Sequence, residues 1–180
     1  DVGAHNNLKL HGADWNDALD MAWEKGESVA FTCAYAGNLR AIAKTLRQFE
    51  EISGSNKIEI ALEMEDLLAG GVELYEDAAR KQALLAGYAK KCEHNISGDT
   101  IVVRLDRLAA NLEEKADWMM KNIRSNEWVK DGEDGWFNGY YDNHGRQVEG
   151  VMDDSVRMML TGQVFAIMSG TATEDQVESI

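Results

Sequence analysis

Two carboxylates, an indole and an amide occupy four consecutive positions, Asp14, Trp15, Asn16 and Asp17. This combination suits a sugar site, because a flat ring stacks on a pyranose face, amides and carboxylates bind hydroxyls, and one carboxyl can transfer a proton. A second motif, Gly26-Glu27-Ser28-Val29, adds a third carboxylate in a glycine-led turn. The alternative is a helix start, with Asp14 as N-cap and Asp17 in the first turn, where acidic groups favour the helix dipole.

Helices are the main elements available to position these residues. Proline is absent, so nothing in the composition interrupts a long helix, and apolar residues recur every three or four positions. A capping-box pattern at Asn56–Glu59 predicts one helix start, and a second at Thr173–Gln176 predicts another. Together the spacing and the breaks predict helices over residues 13–24, 27–51, 56–68, 72–93, 100–129 and 155–169.

One segment has a different character, rich in aromatic residues. Residues 135–142 read as a strand, Asn143-His144-Gly145 as its turn, and residues 146–149 as a returning strand. Trp136, Tyr140 and Tyr141 are compatible either with a sugar platform or with a hairpin that packs on helices. The predicted fold class is therefore mainly α with one β-hairpin.

The charge balance restricts the partners. The 180 residues contain 32 acidic and 18 basic side chains, a net charge of −14, which disfavours nucleic acid and anionic membranes. A neutral carbohydrate fits this balance, whereas an anionic co-substrate needs a local cationic pocket. Cys33 and Cys92 form neither a disulfide framework nor a metal motif, and no His, Asp or Glu cluster has metal-type spacing, so we expect no metal and a cytoplasmic protein.

The two motifs and their flanks resemble a known family. Five segments are similar to the cellobiose and chitobiose phosphorylase family of inverting glycoside phosphorylases. They are the run from Asp1 to Leu10, the Asp-Trp-Asn-Asp motif, the Gly-Glu-Ser-Val motif, the aromatic segment from Trp136 to Arg146 and the run from Leu160 to Gly170. The likeness is collinear over nearly the whole chain and is close only at its two ends. The spacing between the two motifs makes the resemblance specific.

The resemblance implies an activity and roles for residues. Asp17 falls on the general acid of the family, and Trp15 on the tryptophan that lines the subsite for the transferred sugar. Asp14 is expected to orient Asp17 or bind a hydroxyl, Glu27 to support the site or contact the sugar, and Gln163 to lie near the acceptor side. The partners implied are a β-linked gluco-oligosaccharide and inorganic phosphate, with no cofactor, and the product is an α-sugar 1-phosphate.

The resemblance has limits that shape the prediction. Family members often read Asp-Gly-Met-Asn where this chain reads Asp-Ala-Leu-Asp at residues 17–20, which leaves the substrate open. The resemblance implies that the family's phosphate-binding His and Thr-Gly elements would fall beyond residue 180, and its upstream Arg and Asp that bind the transferred sugar are missing as well. We therefore expect residues 1–180 to be part of a single (α/α)6 barrel cut from a longer chain and inactive alone, with a homodimer of the full-length enzyme left open. The alternatives are an inverting hydrolase on the same barrel, with a second carboxylate as base, and a non-catalytic helical binding or scaffold module.

Overall fold

Helices form most of the structure, a computed structural model that describes residues 1–11, 17–153 and 155–180, with the backbone alone for residues 17–19. The mainly α class predicted from the periodicity is confirmed. The α-helices are α1 (Val29–Ser53), α2 (Val72–Glu76), α3 (Ala78–Lys91), α4 (Leu105–Asn126), α5 (Leu160–Met168) and α6 (Glu174–Ser179). Two 3-10 helices cover Asp17–Ala22 and Leu62–Leu68.

Short antiparallel strands lie between the helices. They are β1 (Leu8–Lys9), β2 (Glu27–Ser28), β3 (Lys57–Ala61), β4 (Thr100–Arg104), β5 (Trp128–Asp131), β6 (Asp134–Phe137), β7 (Tyr140–Tyr141), β8 (Gly150–Met152) and β9 (Ser155–Arg157). Strands β1, β2 and β7 form a three-stranded sheet, and the others pair as β3–β4, β5–β6 and β8–β9.

Several predicted helix boundaries are corrected. Residues 57–61 are a strand and not the start of a helix, because they pair along their whole length with residues 100–104, which were expected to be helical as well. The helix expected over 72–93 is divided at Asp77, which caps α3 by accepting a hydrogen bond from Arg80 N at 2.9 Å. Residues 155–157 are also a strand, so the last long helix begins at Leu160. The capping box of α6 is confirmed.

The predicted hairpin is correct at its turn and wrong in its strands. Residues 142–146 form a turn in which Asp142 N donates to Arg146 O at 2.9 Å. The aromatic segment, however, is divided into β6, which pairs with β5, and β7, which pairs with β2. The return segment makes a single bridge, between Tyr141 and Gln147. Burial of the aromatic side chains against other elements outweighs the local turn in choosing strand partners.

The chain divides into two compact units. The middle unit is Leu39–Trp118 together with Asp1, and the end unit is Val2–Asn38 with Met119–Ile180. In the middle unit, Leu105, Ala109 and Ala116 of α4 are fully buried. The Lys115 ammonium group donates to Leu67 O at 2.7 Å, which ties α4 to the 3-10 helix Leu62–Leu68.

Aromatic and aliphatic side chains form the core of the end unit. One cluster contains Leu10, Ala22, Ala30 and Tyr140, and the other includes Val29, Cys33, Ile123, Phe137 and Tyr141. Burial raises the pKa of the Cys33 thiol to about 12. Over the described ranges, no helix has the length and apolar character needed to cross a membrane.

Candidate functional site

The three-stranded sheet joins segments that are far apart in the sequence. In its register, Lys9 faces Glu27 and Glu27 in turn faces Tyr141. The amino-terminal run, the Gly-Glu-Ser-Val motif and the aromatic segment therefore meet in one part of the end unit. Ser28 of the same motif also begins helix α1, because its hydroxyl oxygen accepts a hydrogen bond from Phe31 N at 3.0 Å.

The Glu27 carboxylate lies at the centre of this arrangement and is 2% exposed. Its oxygens accept hydrogen bonds from His5 N at 3.2 Å and from Asn7 N at 3.0 Å, and His5 Nδ1 lies 2.8 Å from Oε1. A Cβ at Gly3 would lie 2.2 Å from the Glu27 carboxyl carbon, so only glycine allows this close approach. The carboxylate thus fixes the conformation of residues 3–7.

A second buried carboxylate, Glu127, lies next to the first. It accepts hydrogen bonds from Asn7 Nδ2 at 2.7 Å, from Asn138 Nδ2 at 3.1 Å and from the Tyr141 hydroxyl at 2.8 Å. Burial raises the pKa of Glu127, while these three donors and the nearby His5 oppose the rise. We call Glu27, Glu127 and the side chains bonded to them the carboxylate network.

The imidazole of His5 is held from two sides. Its ring stacks on the Tyr141 ring with centroids 3.8 Å apart and planes 7° apart, and its Nδ1 edge faces Glu27. About a third of the His5 side chain is exposed, at 33%, whereas the Glu27 side chain is only 3% exposed. A histidine oriented by a carboxylate in this way can donate to or accept from an oxygen atom of a ligand.

Two further buried polar side chains bond to the backbone. Glu149 accepts hydrogen bonds from Gly139 N at 2.8 Å and Met159 N at 2.7 Å, and burial raises its pKa to about 7. Gln163 accepts from Phe137 N and donates to Phe137 O, both at 2.8 Å. These contacts link the segments around β6 and β7 to helix α5.

The structure describes only some of the residues that the sequence predicts to act on substrate. Asp14 and Trp15 lie outside the described residues. Asp17 is the first residue of the 3-10 helix Asp17–Ala22, where the structure describes its backbone and not its side chain. Glu27 and Gln163 are buried and hydrogen-bonded to protein groups. Contact of these residues with a sugar stays a prediction.

Sequence reasoning missed most of the carboxylate network. Glu127 follows α4 directly, but it fell inside a predicted helix that extended to residue 129, where an acidic residue is usually solvated. The sequence places His5 in the run that resembles the family and does not indicate that it is a partner of Glu27. Glycine at position 3 was the available signal, since it marks a close approach of backbone to another group.

Trp136 and Tyr140 are almost completely buried, which favours packing over an open sugar platform. Over residues 1–11, 17–153 and 155–180, no three His, Cys, Asp or Glu side chains form a group that could hold a metal ion.

Comparison with known proteins leaves the function to be argued from the site. No protein-family model matches the sequence, and no curated protein matches it. The family resemblance of the two motifs stays a prediction.

Proposed function

We propose that the chain is part of the catalytic barrel of an inverting glycoside phosphorylase that acts on a β-linked gluco-oligosaccharide. The observation that carries this proposal is the sheet β1–β2–β7, in which three of the segments that resemble the family pair with one another. Another resembling segment begins with α5, whose Gln163 bonds to the aromatic segment. From Val2 onward, these four segments thus belong to one compact unit.

The division of the chain supports the same proposal. The likeness is close only at the two ends of the sequence, and those ends build the end unit. The middle unit, residues 39–118, coincides with the part where the likeness is weak. This agreement favours a functional site in the end unit.

Asp17 is the proposed general acid. It donates its proton to the glycosidic oxygen as the bond from that oxygen to the anomeric carbon breaks, and a phosphate oxygen forms a bond to the anomeric carbon from the opposite face. The products are an α-sugar 1-phosphate and an acceptor sugar with a new hydroxyl group, and Asp17 is left ionised. Trp15 is proposed to stack on the transferred sugar, with Asp14 beside the acid.

The buried carboxylates of Glu27, Glu127 and Glu149 are not suited to be the base that an inverting hydrolase needs. An inverting hydrolase needs a second carboxylate that activates water, whereas phosphate is already a nucleophile. Glu27, Glu127 and Glu149 are each at most 2% exposed, and their carboxylates accept hydrogen bonds from protein donors. A water molecule from bulk solvent therefore does not reach their oxygens. Their arrangement is suited to holding segments in place.

We also propose that the mainly α fold forms part of an (α/α)6 barrel. Helix α5 exposes Leu160 and Met168, at 73% and 77%. An apolar face of this kind is typical of a helix that packs against another helix, as the helices of such a barrel do.

The test of the function is phosphate-dependent cleavage by the full-length protein that carries this sequence. We expect Asp17→Asn to lower kcat by about a hundredfold or more, because the variant cannot donate the proton. Asp20→Asn is the matched control, since Asp20 is an exposed carboxylate of the same 3-10 helix, and it should retain activity. Anomeric proton NMR would identify the α-sugar 1-phosphate. Full activity in Asp17→Asn would contradict the role of Asp17, and cleavage without phosphate would favour the hydrolase.

A further inference from the structure

The turn at residues 142–146 is held rigidly by its own first residue. Asp142 Oδ1 accepts hydrogen bonds from His144 N at 2.8 Å and Arg146 N at 2.9 Å, and Oδ2 accepts from Arg146 Nε at 2.9 Å. Asp142 is itself 6% exposed. A turn with this many internal bonds can serve as a fixed support for a neighbouring segment.

Asn143 connects this turn to the segment that follows Asp17. Its Oδ1 accepts hydrogen bonds from Glu24 N and Lys25 N, both at 2.8 Å, and its backbone N donates to Met21 O at 2.8 Å. Because both side-chain partners are N–H donors, the side-chain atom facing them must be the oxygen. We call these three bonds the Asn143 clamp.

The clamp acts on the end of the 3-10 helix Asp17–Ala22. Met21 lies within that helix, and Glu24 and Lys25 follow its last residue. On another side, Ala22 is completely buried in a cluster with Leu10, and its carbonyl accepts from Gly26 N at 2.9 Å. The helix end is therefore held both by apolar packing and by a polar support.

We infer that Asn143 is a positioning residue for the general acid, which it fixes through the 3-10 helix that Asp17 begins. This inference rests on the proposed function. A proton donor must stay within hydrogen-bond reach of the glycosidic oxygen, and a displacement of about 1 Å can cost roughly a hundredfold in rate. The helix is short, so a shift of its carboxyl end is transmitted to Asp17.

The experiment compares three variants of the full-length protein. Asn143→Ala removes the side-chain acceptor and should lower kcat at least tenfold, with KM changed less than about threefold, since the acid and not sugar binding is misplaced. Asn143→Asp keeps an acceptor oxygen and should recover most of kcat. His144→Ala is the matched control, because it lies in the same turn and its backbone N–H, the group that bonds to Asp142, is retained.

A second measurement does not depend on activity. Amide hydrogen exchange at Glu24 and Lys25 should accelerate in Asn143→Ala and stay at the wild-type rate in His144→Ala. An active wild type together with wild-type kcat and wild-type exchange in Asn143→Ala would overturn the inference alone. A full-length wild type without phosphate-dependent cleavage would overturn the proposed function and the catalytic part of the inference, while accelerated exchange would still identify the clamp.

Discussion

Glu149 is a carboxyl group that folding places in an unfavourable environment. Its two backbone donors stabilise the ionised form, yet burial outweighs them and raises the pKa from 4.5 to about 7. Between these two pH values the folded protein retains a proton that the unfolded chain releases. Stability from this group is therefore fully present below about pH 4.5 and is lost as the pH rises through 7.

We expect Glu149→Gln to remove this dependence. Relative to wild type, the free energy of unfolding of the variant should rise by about 3 kcal/mol between pH 4.5 and pH 8, since each unit of pKa shift corresponds to about 1.4 kcal/mol. Urea unfolding at a series of pH values measures it. Glu133→Gln, which removes an exposed carboxylate, controls for the change of one unit of net charge. A constant difference between Glu149→Gln and wild type across this range would contradict the prediction.

At the scale of single residues, the sequence indicates candidate functional side chains, but it does not indicate which groups they bond to. The Gly-Glu-Ser-Val motif singled out Glu27, but its bonds to His5 and Asn7 depend on the close approach at Gly3. Glu127 accepts a hydrogen bond from Asn7, which lies 120 residues away in the sequence. Such contacts join positions far apart in the chain, and no local pattern encodes them.

At the scale of elements, long helices were predictable and short strands were not. Helices α1 and α4 repeat their apolar positions over many turns, so the signal accumulates. Residues 57–61 alternate polar and apolar side chains, as a strand does, yet they overlap a capping-box pattern that predicts a helix start. A segment of five residues is too short to distinguish a strand from a helix by its pattern. Their pairing with residues 100–104 decides the outcome.

Two glycines should respond in opposite directions to the same substitution. Gly87 lies inside α3, and a Cβ there would meet nothing within 4 Å. Gly87→Ala should therefore raise the free energy of unfolding by about 0.5–1 kcal/mol. Gly98 also has open space around it, but its φ of +81° is unfavourable for alanine. Gly98→Ala should therefore lower the free energy of unfolding by roughly 1–2 kcal/mol. Chemical denaturation of both variants measures this. Equal effects would show that backbone conformation does not control these positions.

At the scale of the whole molecule, the net charge of −14 opposes folding through self-repulsion. Added salt screens this repulsion, but it also weakens exposed ion pairs such as Arg40–Asp117 and Arg47–Glu113. Exposed pairs of this kind contribute only about 0–1 kcal/mol each, so the repulsion should dominate.

The melting temperature should therefore rise as sodium chloride increases from about 10 mM to about 150 mM, where the Debye length shortens from about 30 Å to about 8 Å. Thermal unfolding followed by circular dichroism measures the change. An equal osmolality of sucrose controls for effects of the solute other than screening. A melting temperature that falls over this range would mean that the ion pairs outweigh the repulsion.

The end unit is assembled from two pieces of sequence separated by the middle unit. During synthesis on a ribosome, β2 emerges long before β7, its partner in the sheet. At about 5–20 residues per second, roughly 6–20 s pass between the synthesis of β2 and that of β7. All of the middle unit's segment from Leu39 to Trp118 is made within this interval. Within residues 1–180, the whole middle segment is therefore made before the sheet β1–β2–β7 and the carboxylate network can form.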